Sequence, residues 1–228
     1  MQLKNVSKSY GNKVIFENLN FAPEEGKVTC ILGNSGNGKT TLLNIIAGLC
    51  DYEGYADKVK VSYVFQNDRL IPTMSVRDNI AYVLRGIYPD RNAMNAAVTE
   101  ILRSVELSAE ADSFPPTLSG GMAQRVSLAR AFCYPSDVIL LDEPFHSLDA
   151  ALKNRLYLLF DKLFGESKRT AVLVTHDIDE AVRLGDEIFI LHDKKLIPAA
   201  KPDIPRTERN ILNTAECKQK LYDMIVNL

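Results

Sequence analysis

Residues 33–40 read Gly-Asn-Ser-Gly-Asn-Gly-Lys-Thr and fit G-x-x-x-x-G-K-[ST], a pattern typical of phosphate-binding loops. The three glycines let the backbone adopt positive φ and approach a phosphate without an intervening Cβ. Successive N–H groups then form a concave anion site at the start of a helix. In such a loop Lys39 brings positive charge to the β- and γ-phosphates, and the Thr40 hydroxyl binds Mg²⁺.

The sequence on both sides of this segment supports the interpretation. Residues 27–32 are mostly apolar and β-branched, which predicts a strand that leads into the loop. Residues 41–49 carry Leu42, Leu43, Ile45 and Ile46, which predicts a helix that follows it. A strand, a glycine loop and a helix in this order are the context that the pattern requires.

Composition excludes several classes of protein. The chain has 228 residues with 27 basic and 29 acidic side chains, so its formal net charge of −2 gives no basic field for nucleic acid. No apolar stretch approaches the roughly 18–20 residues of a membrane span. The first residues lack the apolar core of a signal peptide, so a cytosolic location is expected. The four cysteines show no C-x-x-C spacing, which predicts free thiols.

The order of predicted elements indicates an α/β protein. Residues 2–32 suggest a small antiparallel region, and residues 75–107 are helical without an intervening strand. Apolar strands then alternate with helices, which predicts a parallel sheet covered on both faces. We therefore expect one domain over 1–228 with a helical subdomain at about 75–117 and a short extension at about 198–228. Further strands are predicted at 58–65, 138–141, 171–174 and 187–191, an exposed connector at 198–205, and helices from 119–121 to about 132, over 152–163 and over 214–226.

Two adjacent carboxylates end the most apolar strand, where the chain reads Leu140-Leu141-Asp142-Glu143. A nucleotide hydrolase needs one acid to hold Mg²⁺ and another group to orient and deprotonate the attacking water. Neighbouring side chains at the end of a strand point in different directions and can divide these tasks. We assign Asp142 to Mg²⁺ and Glu143 to the water.

Two more segments are candidates for contact with phosphate. Ser119 is a good helix N-cap, and Gly120 and Gly121 expose the first N–H groups of the helix, so this segment is a second possible anion site. Taken alone, the segment is better explained as a capped helix without a ligand. His176 follows a strand on the side where ligands bind in such sheets, and it could donate a hydrogen bond to a γ-phosphate.

In this order the motifs resemble those of the ATP-binding cassette (ABC) ATPases, which belong to the P-loop NTPase class. The resemblance extends from Tyr10 to about Leu191 and implies an ABC-ATPase fold: a mainly parallel core sheet, an N-terminal antiparallel β subdomain and a helical subdomain. The motifs that carry it are the loop at 33–40, Gln66 after a strand, Leu-Ser-Gly-Gly-Met-Ala-Gln at 118–124, Leu-Leu-Asp-Glu-Pro at 140–144, Ser-Leu-Asp at 147–149, and His176.

The resemblance also implies roles for individual residues. Tyr10 would stack on adenine, Gln66 would sense Mg²⁺ and the attacking water, and Asp149 would lie at a subunit interface. Two copies would pack head to tail, so that Ser119, Gly120 and Gly121 of one copy contact the γ-phosphate bound by the other. The residues expected to contact ATP are Tyr10, Gly33, Asn34, Ser35, Gly36, Asn37, Gly38, Lys39, Thr40, Thr41, Ser119, Gly120 and Gly121. The residues expected to bind Mg²⁺ are Thr40, Gln66 and Asp142. The residues expected to take part in catalysis are Lys39, Gln66, Glu143 and His176.

The segments at 65–72 and 175–181 are similar to those of ATPase subunits of bacterial importers for nitrate, sulfonate and taurine. This resemblance implies separate membrane permease subunits, an extracytoplasmic solute-binding protein and a peripheral position on the cytoplasmic face of the membrane, with no nucleic acid partner. One position departs from the family: His146 stands where relatives usually carry a small residue.

Four alternatives are weighed against an importer ATPase. A soluble ABC protein that acts on chromosomes carries a long coiled coil, and one that acts in translation carries two cassettes; this chain has neither. An exporter ATPase remains an alternative. A nucleotide sensor that does not hydrolyse ATP is disfavoured by Glu143 and His176. A GTPase is disfavoured because no Asn-Lys-x-Asp segment is present.

Overall fold

The strand that leads into the glycine loop is β3 (Val28–Leu32), and all of its side chains are buried. β3 pairs in parallel with β7 (Thr170–Thr175) on one side and with β8 (Glu187–His192) on the other. β6 (Val138–Asp142) pairs in parallel with β7. β9 (Lys195–Ala200) pairs antiparallel with β8 and forms an edge of the sheet. A central strand apolar on both faces is what a covered parallel sheet requires.

This architecture comes from a computed structural model, which describes residues 1–146, 148–210 and 212–228. The chain divides into two compact units. The first contains residues 1–61, 136–143 and 168–228, and the second contains residues 62–135 and 144–167. Among the described residues, no helix combines the length and the apolar character needed to cross a membrane.

The first unit also holds an antiparallel sheet of β1 (Leu3–Tyr10), β2 (Lys13–Phe21) and β4 (Glu53–Ala56), in the order β2-β1-β4. A two-residue turn joins β1 to β2, and Gly11 within it has φ of 57°, as tight hairpins require. The helices of this unit are α1 (Lys39–Ile46), α6 (Ile178–Leu184) and α7 (Ala215–Val226). α1 packs on β6 and β7.

The second unit is mostly helical. It contains α2 (Val76–Val83), α3 (Arg91–Ser104), α4 (Gly120–Cys133) and α5 (Ala150–Ser167). β5 (Val61–Val64) begins at its boundary with the first unit. Aromatic rings fill part of its core, with Phe160 edge-on to Phe132 and stacked on Phe164.

The predicted fold class is confirmed, with three corrections to the list of strands. β4 was not predicted, because its sequence carries a glycine and no alternating apolar pattern. β9 occupies 195–200, where the sequence predicts the start of an exposed connector. Pro198 lies within β9 opposite Phe189, which an edge strand tolerates because one side of it needs no ladder donor. The strand predicted at 58–65 is shorter and covers only β5.

Arg209 fastens the segment after β9 to the end of α6. Its side chain is 2% exposed. Nε donates to the carbonyl of Ile204 at 2.8 Å, and Nη1 donates to the carbonyls of Val182 at 3.0 Å and Gly185 at 2.6 Å. Burial lowers the pKa of this guanidinium from its usual value, and the bonds to carbonyl oxygens compensate for the lost water.

Candidate functional site

The glycine loop lies between β3 and α1, as the spacing predicts. Gly33 donates its N–H to the carbonyl of Thr175 at 3.2 Å, which ties the loop to the neighbouring strand. Gly38 immediately precedes α1 with φ of 98°, and a Cβ at this position would lie 2.6 Å from the Ile15 side chain. Both the backbone angle and the available space therefore require glycine at residue 38.

Asn37 has a structural contact within the same loop. Its side-chain amide donates to the carbonyl of Leu191 at 3.1 Å, at the end of β8. Asn34 and Ser35 are exposed, and Thr41 is half-buried. The loop is therefore anchored to the sheet on both sides while its tip faces solvent.

Lys39 is the buried cation of the site. Its side chain is 5% exposed, and Nζ lies 3.2 Å from Oε1 of Glu143. The same ammonium donates to the carbonyls of Gly33 at 2.8 Å and Asn34 at 3.2 Å. These three oxygen atoms fix the position of the Lys39 ammonium at the phosphate loop.

Glu143 follows β6 directly and takes an unusual backbone conformation. Its φ is 46°, in the left-handed region that is costly for a residue other than glycine. Its N–H donates to the carbonyl of Val174 at 3.0 Å, which holds this conformation. Strain of this kind concentrates at functional sites.

The carboxylate of Glu143 lies between two nitrogen groups. Oε1 contacts Lys39, and Oε2 lies 2.9 Å from Nδ1 of His176. Burial alone would raise the pKa of Glu143, but the hydrogen bond and charge of Lys39, with His176 in addition, outweigh burial and lower it. Glu143 is therefore ionised at neutral pH, as a general base must be.

Thr40 and Asp142 bring oxygen ligands together beside this pair. The Thr40 hydroxyl donates to Oδ1 of Asp142 at 3.2 Å, and Asp142 is 5% exposed. A hydroxyl and a carboxylate are the oxygen donors that Mg²⁺ prefers. The donor set therefore fits a magnesium ion held by these two residues.

In the second unit, the Ser119 hydroxyl accepts the N–H of Met122 at 3.3 Å and caps α4. Gly121 has no room for a Cβ, which would lie 2.8 Å from Leu152, whereas Gly120 faces open space. A cavity of about 550 Å³ adjoins these glycines, and Asp149 and Arg155 contribute to its lining. The N-terminus of α4 is thus open on the side of Gly120.

The segment that carries Gln66 is fastened to α4 within the second unit. Gln66 itself is exposed. Oδ1 of Asp68 accepts the Ser127 hydroxyl at 2.9 Å, and the carbonyl of Arg69 accepts Nη1 of Arg130 at 3.0 Å. Burial raises the pKa of Asp68, and the Ser127 bond counteracts this in part.

Replacing Ser127 by Ala should leave the half-buried Asp68 carboxylate without this donor. We expect the free energy of unfolding to fall by about 1–3 kcal/mol, the usual cost of an unpaired buried acceptor. Urea titration at pH 7 measures the change, and Ser104→Ala at the end of α3 serves as the control. Stability equal to that of the wild-type chain would show that the Asp68–Ser127 bond contributes nothing.

The structure brings Gly33, Lys39, Thr40, Asp142, Glu143 and His176 into one site in the first unit. Tyr10 ends β1 in the same unit and is 50% exposed. Gln66 and residues 119–121 belong to the second unit, so their roles at a nucleotide stay predictions.

Three further residues were singled out in the sequence at 146–149. Ser147 lies outside the described residues. Asp149 accepts the N–H of Leu152 at 3.0 Å, at the start of α5. His146 is exposed.

Sequence reasoning missed two contacts at this site. It did not pair Lys39 with Glu143, and no sequence signal indicates that pair. It also missed Lys8, whose ammonium lies 4.6 Å from the centre of the Tyr10 ring. Alternation along β1 puts residues 8 and 10 on the same face, so the pattern could have suggested this contact.

Comparison with known proteins identifies similar sequences. The ABC transporter family matches residues 16–146. An aliphatic sulfonates import ATP-binding protein, SsuB 2 of Pseudomonas savastanoi, is 40% identical over 208 residues, which are 90% of this chain and 76% of the relative. The sulfate/thiosulfate import ATP-binding protein CysA of Halalkalibacterium halodurans is 39% identical over 88% of this chain. This chain spans 61% of the length of that relative.

A solved structure shares the fold. The ATP-binding cassette MJ0796, in a dimeric post-hydrolysis state bound to ADP and phosphate, has a TM-score of 0.75 and 34% sequence identity. The match covers 86% of this chain and 95% of the solved chain.

Proposed function

The chain belongs to the ABC transporter family, and from that premise we propose that it is the ATP-hydrolysing subunit of a bacterial importer. The observation that carries this proposal is the Glu143 carboxylate, kept ionised between Lys39 and His176 beside the oxygen pair of Thr40 and Asp142. Hydrolysis of a triphosphate needs these parts within a few ångströms of one another: a cation, a base and a metal-binding pair.

The residues act in a definite order in this proposal. Lys39 exchanges its contact with Glu143 for the β- and γ-phosphates. Glu143 then orients a water molecule in line with the γ-phosphate and takes its proton. His176 donates a hydrogen bond to the γ-phosphate and, with Lys39, stabilises the developing charge. Thr40 and Asp142 would hold Mg²⁺, which would supply positive charge to the phosphate oxygens.

The proposed partners follow from the relatives. The dimeric state of MJ0796 supports a head-to-tail pair of this chain, in which Ser119, Gly120 and Gly121 approach the nucleotide of the other copy. The names of the relatives, which are import ATP-binding proteins for sulfate, thiosulfate and aliphatic sulfonates, support import over export. We propose that the chain lies peripherally on the cytoplasmic face of the membrane, coupled to permease subunits and indirectly to an extracytoplasmic solute-binding protein. The cargo is a small anion or organic solute of the sulfonate, taurine or nitrate kind.

ATPase assays on the purified chain, alone and with its membrane subunits, test the proposal. We expect hydrolysis that requires Mg²⁺ and stops when EDTA is added. Thr40→Ala should weaken the apparent affinity for Mg²⁺ by about 10- to 100-fold, the cost typical of a disturbed metal shell. Thr99→Ala on α3 is the control and should behave as wild type.

Two results would contradict the proposal at different points. A wild-type chain that does not hydrolyse ATP under either condition would remove the enzymatic function. A Thr40→Ala variant with an unchanged Mg²⁺ requirement would leave the function standing but remove the assignment of the metal site.

A further inference from the structure

Lys8 and Tyr10 form a pair at the end of β1. The Lys8 ammonium lies 4.6 Å from the centre of the Tyr10 ring, within the range of a cation–π contact. Among the residues that the structure describes, this ammonium makes no hydrogen bond or ion pair, and the ring is its partner. Lys8 is half-buried, whereas Tyr10 is 50% exposed.

The backbone at this point is firmly set. Tyr10 is the last residue of β1 and lies opposite Lys13 across the two-residue turn. Lys8 lies opposite Phe16, whose ring is 3.1 Å from the position of a Cβ on Gly38. The pair therefore belongs to a hairpin that contacts the end of the phosphate loop.

The contact makes the two faces of the Tyr10 ring unequal. A cation on one face holds the ring in place and draws electron density toward itself. The opposite face, with its density reduced, is better suited to an offset stack with an electron-rich aromatic system. A purine presents a larger stacking surface than a pyrimidine, so stacking on the Tyr10 ring contributes more binding free energy for a purine.

We infer that Lys8 is a specificity-determining residue of the nucleotide site: it supports the Tyr10 ring from one face so that the other face stacks on a purine base. This inference rests on the proposed function and on the expectation from the sequence that Tyr10 stacks on adenine. Lys8 acts through Tyr10 and is therefore a positioning residue.

Binding of ATP, CTP and inorganic tripolyphosphate to Lys8→Gln, measured by calorimetry at fixed salt, tests this role. We expect a loss of ATP affinity of at most about 2- to 5-fold, because the cation–π contact is already present before ATP binds and only its support of the stack is lost. The loss for CTP should be smaller, so that the ratio of ATP to CTP affinity falls. Affinity for tripolyphosphate should not change, because it has no base.

Lys13→Gln is the matched control. Lys13 carries the same charge as Lys8 and pairs with Tyr10 in the hairpin, but the ammonium over the Tyr10 ring is that of Lys8. It should bind all three ligands as wild type does. In a Tyr10→Ala background, Lys8→Gln should cause no further loss, since its effect passes through the ring.

Three outcomes would overturn the inference. The first is an unchanged ratio of ATP to CTP affinity in Lys8→Gln. The second is a loss of tripolyphosphate affinity equal to the loss of ATP affinity. The third is a gain in ATP affinity, which would show that Lys8 hinders stacking on the ring. The proposed function fails separately, if the wild-type chain binds no ATP.

Discussion

Replacing Glu143 by Gln is expected to lower ATP turnover by about 10²–10⁴-fold, the range typical of a lost general base. The glutamine side chain would keep the size of the glutamate, but its amide has one acceptor oxygen in place of two and could not accept a proton from water. ATP binding should survive and become no weaker, because Lys39 would lose a carboxylate that competes with the phosphates for its charge. The variant should therefore retain bound ATP that it cannot hydrolyse.

Single-turnover hydrolysis and equilibrium ATP binding separate these two effects. Glu166→Gln, on the exposed end of α5, is the control and should hydrolyse ATP normally. Normal turnover in Glu143→Gln would show that another group deprotonates the attacking water. Loss of ATP binding together with turnover would instead assign Glu143 to the support of the loop.

Gly120→Asp should abolish steady-state ATPase activity, with a loss of about 10²-fold or more, comparable to removal of an oxyanion donor. A Cβ on Gly120 meets no atom within 4 Å, so the variant should fold normally. A carboxylate would, however, stand at the open end of α4, where the proposal places a γ-phosphate of the other copy. Gly165→Asp on α5, equally unobstructed, is the control for added charge.

Mixing Gly120→Asp with Lys39→Ala tests whether the two halves of the site come from different copies. Each variant alone should be inactive. In a mixed dimer, Lys39 of one copy would face Gly120 of the other across one intact site, so about a quarter of the sites should recover if dimers form at random. No recovery, although mixed dimers form, would contradict the head-to-tail arrangement.

The phosphate loop could be predicted from sequence because its determinants are local. Glycine spacing, an apolar strand before it and an apolar helix after it are all contained in residues 27–49, and the structure places β3 and α1 there. The position of Asp142 and Glu143 after a buried strand was accessible for the same reason.

Contacts set by tertiary structure could not be predicted in this way. Lys39 and Glu143 meet because parallel pairing aligns β6, β7 and β3, and no local pattern records that alignment. β9 was not predicted because Pro198 has no N–H to donate, which from local sequence disfavours a strand. An edge strand tolerates proline because one of its sides needs no donor. The left-handed φ of Glu143 is likewise imposed by its bond to Val174 and would not be guessed for a glutamate.

Arg209 donates to three carbonyl oxygens, two of them at the end of α6. Because α6 begins two residues after His176, these bonds join the C-terminal region to the unit that carries the nucleotide site. A chain shortened to end before Arg209 would leave the oxygens of Val182 and Gly185 without this donor, at a cost of about 1–3 kcal/mol for each one that stays dry. A module joined to this end would therefore connect, through Arg209 and α6, to the segment that carries His176, the residue that contacts Glu143.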